Sequence, residues 1–322
     1  MMKDTIVLYP SPGRGHLFCM VELGKQILKH HPSISITIII STLPTESFPV
    51  DDPYFSTLAT TNPSITLIHL AKVSLPPITS FSPLDFVASL FDLPELNNTN
   101  LHQTLLNLSK SFNIKALIID FFCSAAYEFV SSRHNIPIYF FFTSNASGLS
   151  VFLHLPVLDK IITKSLKDLD IIIDCHGISK IPSKAMPPVI CDRSHKVYRY
   201  FLDTAKLMTK SAGLVINTFE LLEHRALQAI QEGKCDPDEP VPPLYFLVDE
   251  MKVALALRET EDDQLVSAAE LEERLIELMS SKKGEAVRER VLKLKEDAVA
   301  AKSDGGSSSV AMAKLLDSFK EG

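Results

Sequence analysis

Thr5-Ile6-Val7-Leu8-Tyr9 runs straight into Pro10-Ser11-Pro12-Gly13-Arg14-Gly15-His16 and then into Leu17 to Lys29, where apolar residues return every three or four positions. A continuous apolar run reads as a strand covered on both faces, and the 3.6-residue period after it reads as an amphipathic helix. The stretch therefore spells strand, tight turn and crossover helix. The alternation continues outward. Ser35 to Ser41, Ile65 to His69, Lys115 to Asp120, Ile138 to Phe142 and Gly213 to Asn217 have strand character, while Cys123 to His134 and Ala146 to Lys164 carry helical spacing. A loop near Leu75 to Pro83, with Pro76, Pro77 and Pro83, leads into a helical stretch ending near Ser111. Short β-branched runs separated by longer helical patterns mark βαβ units, so the expected class is α/β with a parallel sheet flanked by helices.

Composition narrows what such a sheet can serve. The chain has 322 residues, 46% hydrophobic, which suffices for one large domain with an appendage or two modest ones. A formal net charge of −7 argues against a broad nucleic-acid or anionic-membrane footprint and leaves a small neutral ligand easy to accept. Five scattered cysteines without a C-x-x-C pair point to reduced thiols and a cytoplasmic setting, not to a disulfide framework or a zinc site. Met1 leads directly into the first strand without a secretory h-region, and no apolar run is long enough to span a bilayer. The N-x-S/T matches at Asn97, Asn107 and Asn145 are read as chance.

The chain changes character after Leu247: 29 of the last 75 residues are charged, against 42 of the 247 before them. Residues 1–247 are expected to form the sheet domain and 248–322 a mostly helical remainder. In that remainder Ala268 to Ser280, Lys283 to Ala300 and Ser308 to Phe319 are the helix candidates. Narrow apolar stripes make a poor independent core, so the last helix is expected to dock on the sheet domain through Val310, Met312, Leu315, Leu316 and Phe319, with Ala268 to Ala300 packed less well.

Open α/β sheets bind ligands at the carboxyl ends of their strands, which is where the Pro10 to His16 turn falls. Gly13 and Gly15 permit a tight turn and close approach of a ligand, and His16 can take a proton near neutral pH; helix capping or a plain loop role is the competing reading. No G-K-[ST] follows, so this is not a Walker loop. Phe18 stands where a G-x-G-x-x-G motif needs its third glycine. Asp120 closes its strand and could reach His16 across neighbouring strand ends, fixing the imidazole tautomer; capping the helix near Cys123 is the alternative. Among Phe121, Phe122, Phe140, Phe141 and Phe142, the strand-end positions favour Phe121 and Phe142 as walls for a flat aromatic ligand, against a purely core role. Thr143 and Ser144 either bond a polar ligand or cap the helix near Ala146. A serine hydrolase finds no support, since G-x-S-x-G is absent.

These pieces resemble the plant UDP-sugar-dependent glycosyltransferases that act on small metabolites, a family with two facing Rossmann-like domains in the GT-B arrangement. Pro10-Ser11-Pro12-Gly13-Arg14-Gly15-His16, the Leu117-Ile118-Ile119-Asp120 strand end and Gly213-Leu214-Val215-Ile216-Asn217-Thr218-Phe219-Glu220 look like that family's amino-terminal half. Thr143-Ser144-Asn145-Ala146-Ser147-Gly148 looks most like its flavonoid and phenolic glucosyltransferases. Val248-Asp249-Glu250-Met251-Lys252-Val253-Ala254-Leu255 and Asp304-Gly305-Gly306-Ser307-Ser308 are similar to its carboxyl-terminal stretch. The resemblance implies His16 as the general base that deprotonates a phenolic hydroxyl and Asp120 as its orienting partner. It also implies Gly15 beside the donor, Thr143 near the sugar, Phe121 and Phe142 at the acceptor, and UDP-glucose as co-substrate with no cofactor or metal.

Between Leu247 and Val248 the family carries most of a second Rossmann-like domain, with a Trp-containing donor box; this chain contains no Trp. The resemblance therefore describes the amino-terminal half of a GT-B fold joined to a truncated helical remnant of the donor domain. The expected activity is inverting transfer of a sugar from a UDP-sugar to a flavonoid or other phenolic, weak or absent in this chain because the donor-binding box is missing. The alternatives are a noncatalytic phenolic-binding remnant, a product of a splicing or gene-model deletion, or a chain that associates with a full-length relative.

Overall fold

The computed structural model describes residues 2–43, 53–75, 82–239, 243–247 and 266–319. Pro76 and Pro77 of the expected loop, and the Val248 to Leu255 stretch, lie outside the described residues. The chain opens with β1 (Lys3–Tyr9), α1 (Arg14–His30), β2 (Ser35–Ile40), α2 (Pro53–Thr61) and β3 (Ile65–His69). Then come α3 (Pro83–Leu96), α4 (Asn98–Leu108), β4 (Phe112–Asp120), a 3-10 turn over Phe121–Cys123, α5 (Ala125–Ser131), β5 (Ile138–Phe142) and α6 (Ala146–Ile161). A small antiparallel pair, β6 (Ile172–Ile173) and β7 (Ile181–Pro182), precedes α7 (Lys196–Met208), β8 (Gly213–Asn217), α8 (Glu220–Gln231) and β9 (Leu244–Leu247). Three helices finish the chain: α9 (Ala268–Ser280), α10 (Lys282–Lys302) and α11 (Ser307–Ser318).

Seven strands form one parallel sheet in the order β3-β2-β1-β4-β5-β8-β9. The order reverses between β1 and β4, and that switch point opens the crevice in which such sheets bind ligands. Side chains alternate across the sheet, as the two-residue strand period requires. Val7, Tyr9, Leu117, Ile119, Phe140 and Phe142 feed a core with Leu101, Val130, Leu153 and Leu202 from the helices on one face. Ile6, Leu8, Ile36, Ile38, Ile118 and Phe141 feed a second core with Met20, Val21 and Ile27 of α1 on the other. Gly24 of α1 lets the helix lie close on β2: a Cβ there would stand 3.2 Å from Ile36 Cγ2. Cys123 to His134, read as one helix, is the 3-10 turn followed by the shorter α5.

The tail meets the sheet through its last helix. Met312, Leu315, Leu316 and Phe319 join the α1-side core; the Phe319 ring lies edge-on to Tyr139 at 5.1 Å, and the hydroxyls of Tyr139 and Ser318 are 2.8 Å apart. Val310, expected among the docking residues, is 42% exposed instead. Residues 312, 315, 316 and 319 make one helical stripe, and position 310 is set roughly 200° around the helix from 312. Helix α9 buries no residue completely and leaves Leu275, Ile276 and Met279 more than half exposed. All five cysteines are free; Cys19 and Cys191 are only half-buried. No helix among the described residues is long and apolar enough to cross a membrane.

Candidate active site

Three neighbouring strand ends deliver the candidate residues. Tyr9 of β1 is in register with Ile119 of β4, and Asp120 with Phe141 of β5. The turn after β1, the last residue of β4 and the residues after β5 therefore meet at one rim. Gly13 precedes α1 with φ of +110°, a conformation L side chains rarely adopt, and it swings the chain so that His16 falls in the first turn of α1. Gly15 is already helical and makes no tight turn; its missing side chain leaves open space, with no atom within 4 Å of where a Cβ would stand.

His16 Nδ1 lies 2.9 Å from Asp120 Oδ2. Asp120 is fully buried, whereas a quarter of the His16 side chain is exposed. The carboxylate makes no side-chain cap to the following turn, so the pairing, not capping, is what Asp120 does. Its other oxygen, Oδ1, is buried with no hydrogen-bond partner among the described residues. A carboxylate accepts only, so Nδ1 carries the proton in this pair and Nε2 is left as the basic nitrogen. Burial pushes the His16 pKa down, but the hydrogen bond and charge of Asp120 outweigh it, and the net shift is upward. Burial first, and the neighbouring negative charge of Asp120 second, push the Cys123 thiol well up; burial does the same to the Tyr9 phenol. Both stay neutral, and His16 is the group whose protonation balances Asp120.

Thr143 Oγ1 stands 3.4 Å from the same Nδ1, next to the dyad. Asn145, not Thr143 or Ser144, caps α6, its side chain accepting from the Gly148 amide at 2.8 Å. The aromatic wall differs from the expectation. Phe121 opens the 3-10 turn instead of closing β4, and it and Phe142 are each 4% exposed, packed on one another with Phe152 behind the rim. Half-buried Phe122 is the ring that meets His16, edge-on at 5.5 Å, backed by Phe91 and Phe201. Strand alternation ends at Asp120, and the 3-10 turn then rotates successive side chains by about 120°, so strand position alone does not select Phe122. No group of three or more His, Cys, Asp or Glu among the described residues could hold a metal ion.

The His–Asp pair and the Phe122 ring thus lie at the switch point of a parallel sheet, the place where open α/β folds bind small molecules. No family model matches the chain. It is 43% identical over 249 residues to UDP-glycosyltransferase 88B1 of Stevia rebaudiana, an alignment covering 77% of this chain and 52% of that protein. It is 41% identical over 256 residues to anthocyanidin 5,3-O-glucosyltransferase of a Rosa hybrid cultivar, covering 76% and 52%. Among solved structures, Phytolacca americana UGT2 complexed with UDP-2fluoro-glucose and pterostilbene matches with a TM-score of 0.84 at 19% identity, over 98% of this chain and 99% of that one. Medicago truncatula UGT71G1 complexed with UDP-glucose matches with a TM-score of 0.78 at 19% identity, over 98% of both chains. The chain belongs to the plant UDP-glycosyltransferases and carries the amino-terminal half of their GT-B fold. It spans about half the length of the curated relatives it matches.

Proposed function

We propose that this chain is the acceptor-handling half of a UDP-glycosyltransferase, binding a flavonoid or similar phenolic at the rim of the sheet and accepting the proton of its hydroxyl. In this reading residues 1–247 are the acceptor domain and 248–322 the remnant of the donor domain. His16 Nε2 takes the proton, and Asp120 stabilises the imidazolium that forms. Phe122 offers an edge to the aromatic ring, with Phe121 and Phe142 as its support. Thr143 and Gly15 border the space where the sugar would sit. The observation that carries the reading is the 2.9 Å contact between His16 and buried Asp120, with Phe122 against the same imidazole. The named activities of the relatives, among them an anthocyanidin and an isoflavone glucosyltransferase, support the phenolic class of the acceptor. Five free cysteines fit a reducing, cytoplasmic setting.

In the complete reaction the deprotonated oxygen attacks the anomeric carbon in line, expels UDP and inverts the configuration. The donor half of that reaction is what this chain lacks by its family resemblance. Binding a nucleoside diphosphate draws on several charge-assisted hydrogen bonds of about 1.5–3 kcal/mol each. Losing four of them, if additive, weakens binding by about four to eight orders of magnitude. The intact chain, incubated with UDP-glucose and a flavonoid panel, is expected to form no more glucoside than its His16→Ala variant. Transfer clearly above that control would contradict the loss of the donor half.

A further inference from the structure

Glu223 belongs to neither the dyad nor the aromatic wall, yet its carboxylate holds four donors. Oε2 accepts from the Ala146 amide at 2.8 Å and the Thr218 hydroxyl at 2.6 Å; Oε1 accepts from the Ser147 amide at 2.9 Å and the Ser147 hydroxyl at 2.7 Å. Ala146 and Ser147 are the first two residues of α6, whose opening amides have no partner within the helix. A carboxylate facing them satisfies those donors and interacts favourably with the positive end of the helix dipole. Asn145 already serves the Gly148 amide, so α6 is capped twice, once by the residue just before it and once from α8.

The local backbone explains how Glu223 reaches across. Helix α8 is broken at Glu223, whose φ of −131° and ψ of 39° are not helical. Thr218 follows β8, is fully buried, and ties the carboxylate to the end of that strand. The segment thus fastened begins three residues after Thr143, whose hydroxyl stands 3.4 Å from His16 Nδ1.

We propose that Glu223 is a positioning residue for the candidate site: by pinning the start of α6 to the end of β8 it fixes the 143–147 segment and so holds the Thr143 hydroxyl beside His16. The inference rests on the reading of His16 as the proton acceptor. At His16 Nδ1 stand the carboxylate of Asp120 from β4 and the hydroxyl of Thr143 after β5, and in this proposal Glu223 acts through Thr143.

The test is a double-mutant cycle on the full chain, read by NMR without any acceptor. Glu223→Gln is expected to lower hydrogen-exchange protection of the Ala146 and Ser147 amides about tenfold or more, while amides in the middle of α6 keep theirs. It is also expected to displace the His16 ring resonances and titration midpoint in the same direction as Thr143→Val does. The double variant is expected to match Thr143→Val alone, because both changes act through one hydroxyl. Additive effects, an unmoved His16 in either single variant, or unchanged amide protection would each overturn the proposal. Should Glu223→Gln not fold, Thr218→Val, which removes one anchor of the carboxylate, takes its place in the cycle. Flavonoid binding, measured separately on the wild type, reports on the acceptor reading itself, so the two can fail independently.

Discussion

Replacing Asp120 by Asn should reverse the direction in which His16 is perturbed. Two opposing effects act on that imidazole: burial, which disfavours the cation, and the contact with Asp120 at 2.9 Å, which favours it and wins. Asn keeps the shape and can still accept from Nδ1, but it removes the negative charge. A charge-assisted hydrogen bond is worth about 1.5–3 kcal/mol, which corresponds to about 10- to 150-fold in the population of the protonated ring. The partner is fully buried and the imidazole only a quarter exposed, so solvent screens this contact weakly. With the negative charge gone, burial should prevail, and His16 should titrate below 6.5 in the variant and above it in the wild type. Following the His16 ring protons by NMR across pH 4 to 9 measures both midpoints. Folding stability carries the same signature. A histidine raised in the folded state contributes stability that is full below about pH 6.5 and is lost as pH rises through the folded-state value. That loss on the alkaline side should vanish in Asp120→Asn. A wild-type midpoint at or below 6.5, or one unmoved by the substitution, would refute the dyad.

Other consequences follow from the packing. Leu315→Ala, at a fully buried site where α11 meets the sheet, should cost about 2–5 kcal/mol in urea unfolding; a loss under about 1 kcal/mol would mean the tail is not anchored there. Leu275→Lys on α9, already 52% exposed, should change stability by no more than about 0.5 kcal/mol in the same assay. Gly13→Ala forces a side chain into a φ of +110° and should destabilise by about 1 kcal/mol or more, measured by thermal melting, and it should shift the His16 resonances as α1 starts elsewhere.

The sheet was legible because strands buried on both faces leave unbroken apolar runs. Ile138–Phe142 and Gly213–Asn217 begin and end where their residues say they should. β9 escaped notice because Leu244–Leu247 is only four residues long and sits beside the change in composition. His16 and Asp120 stood out for a topological reason: a histidine after the first strand and an aspartate closing another converge wherever the order reverses between them. The aromatic wall was harder to read, since the choice between Phe121 and Phe122 depends on a 3-10 turn that no periodicity announces. Glu223 was invisible for a similar reason. Its contacts come from a break in α8 and from a helix terminus 76 residues away in the chain.

Calorimetric titration of a flavonoid aglycone into the intact chain, beside Phe122→Ala and a parallel titration with UDP, tests the acceptor-half account most directly. The account predicts micromolar binding of the aglycone, weakened at least several-fold by Phe122→Ala, and no measurable heat from UDP. Binding of UDP without the aglycone, or aglycone binding indifferent to Phe122, would contradict it.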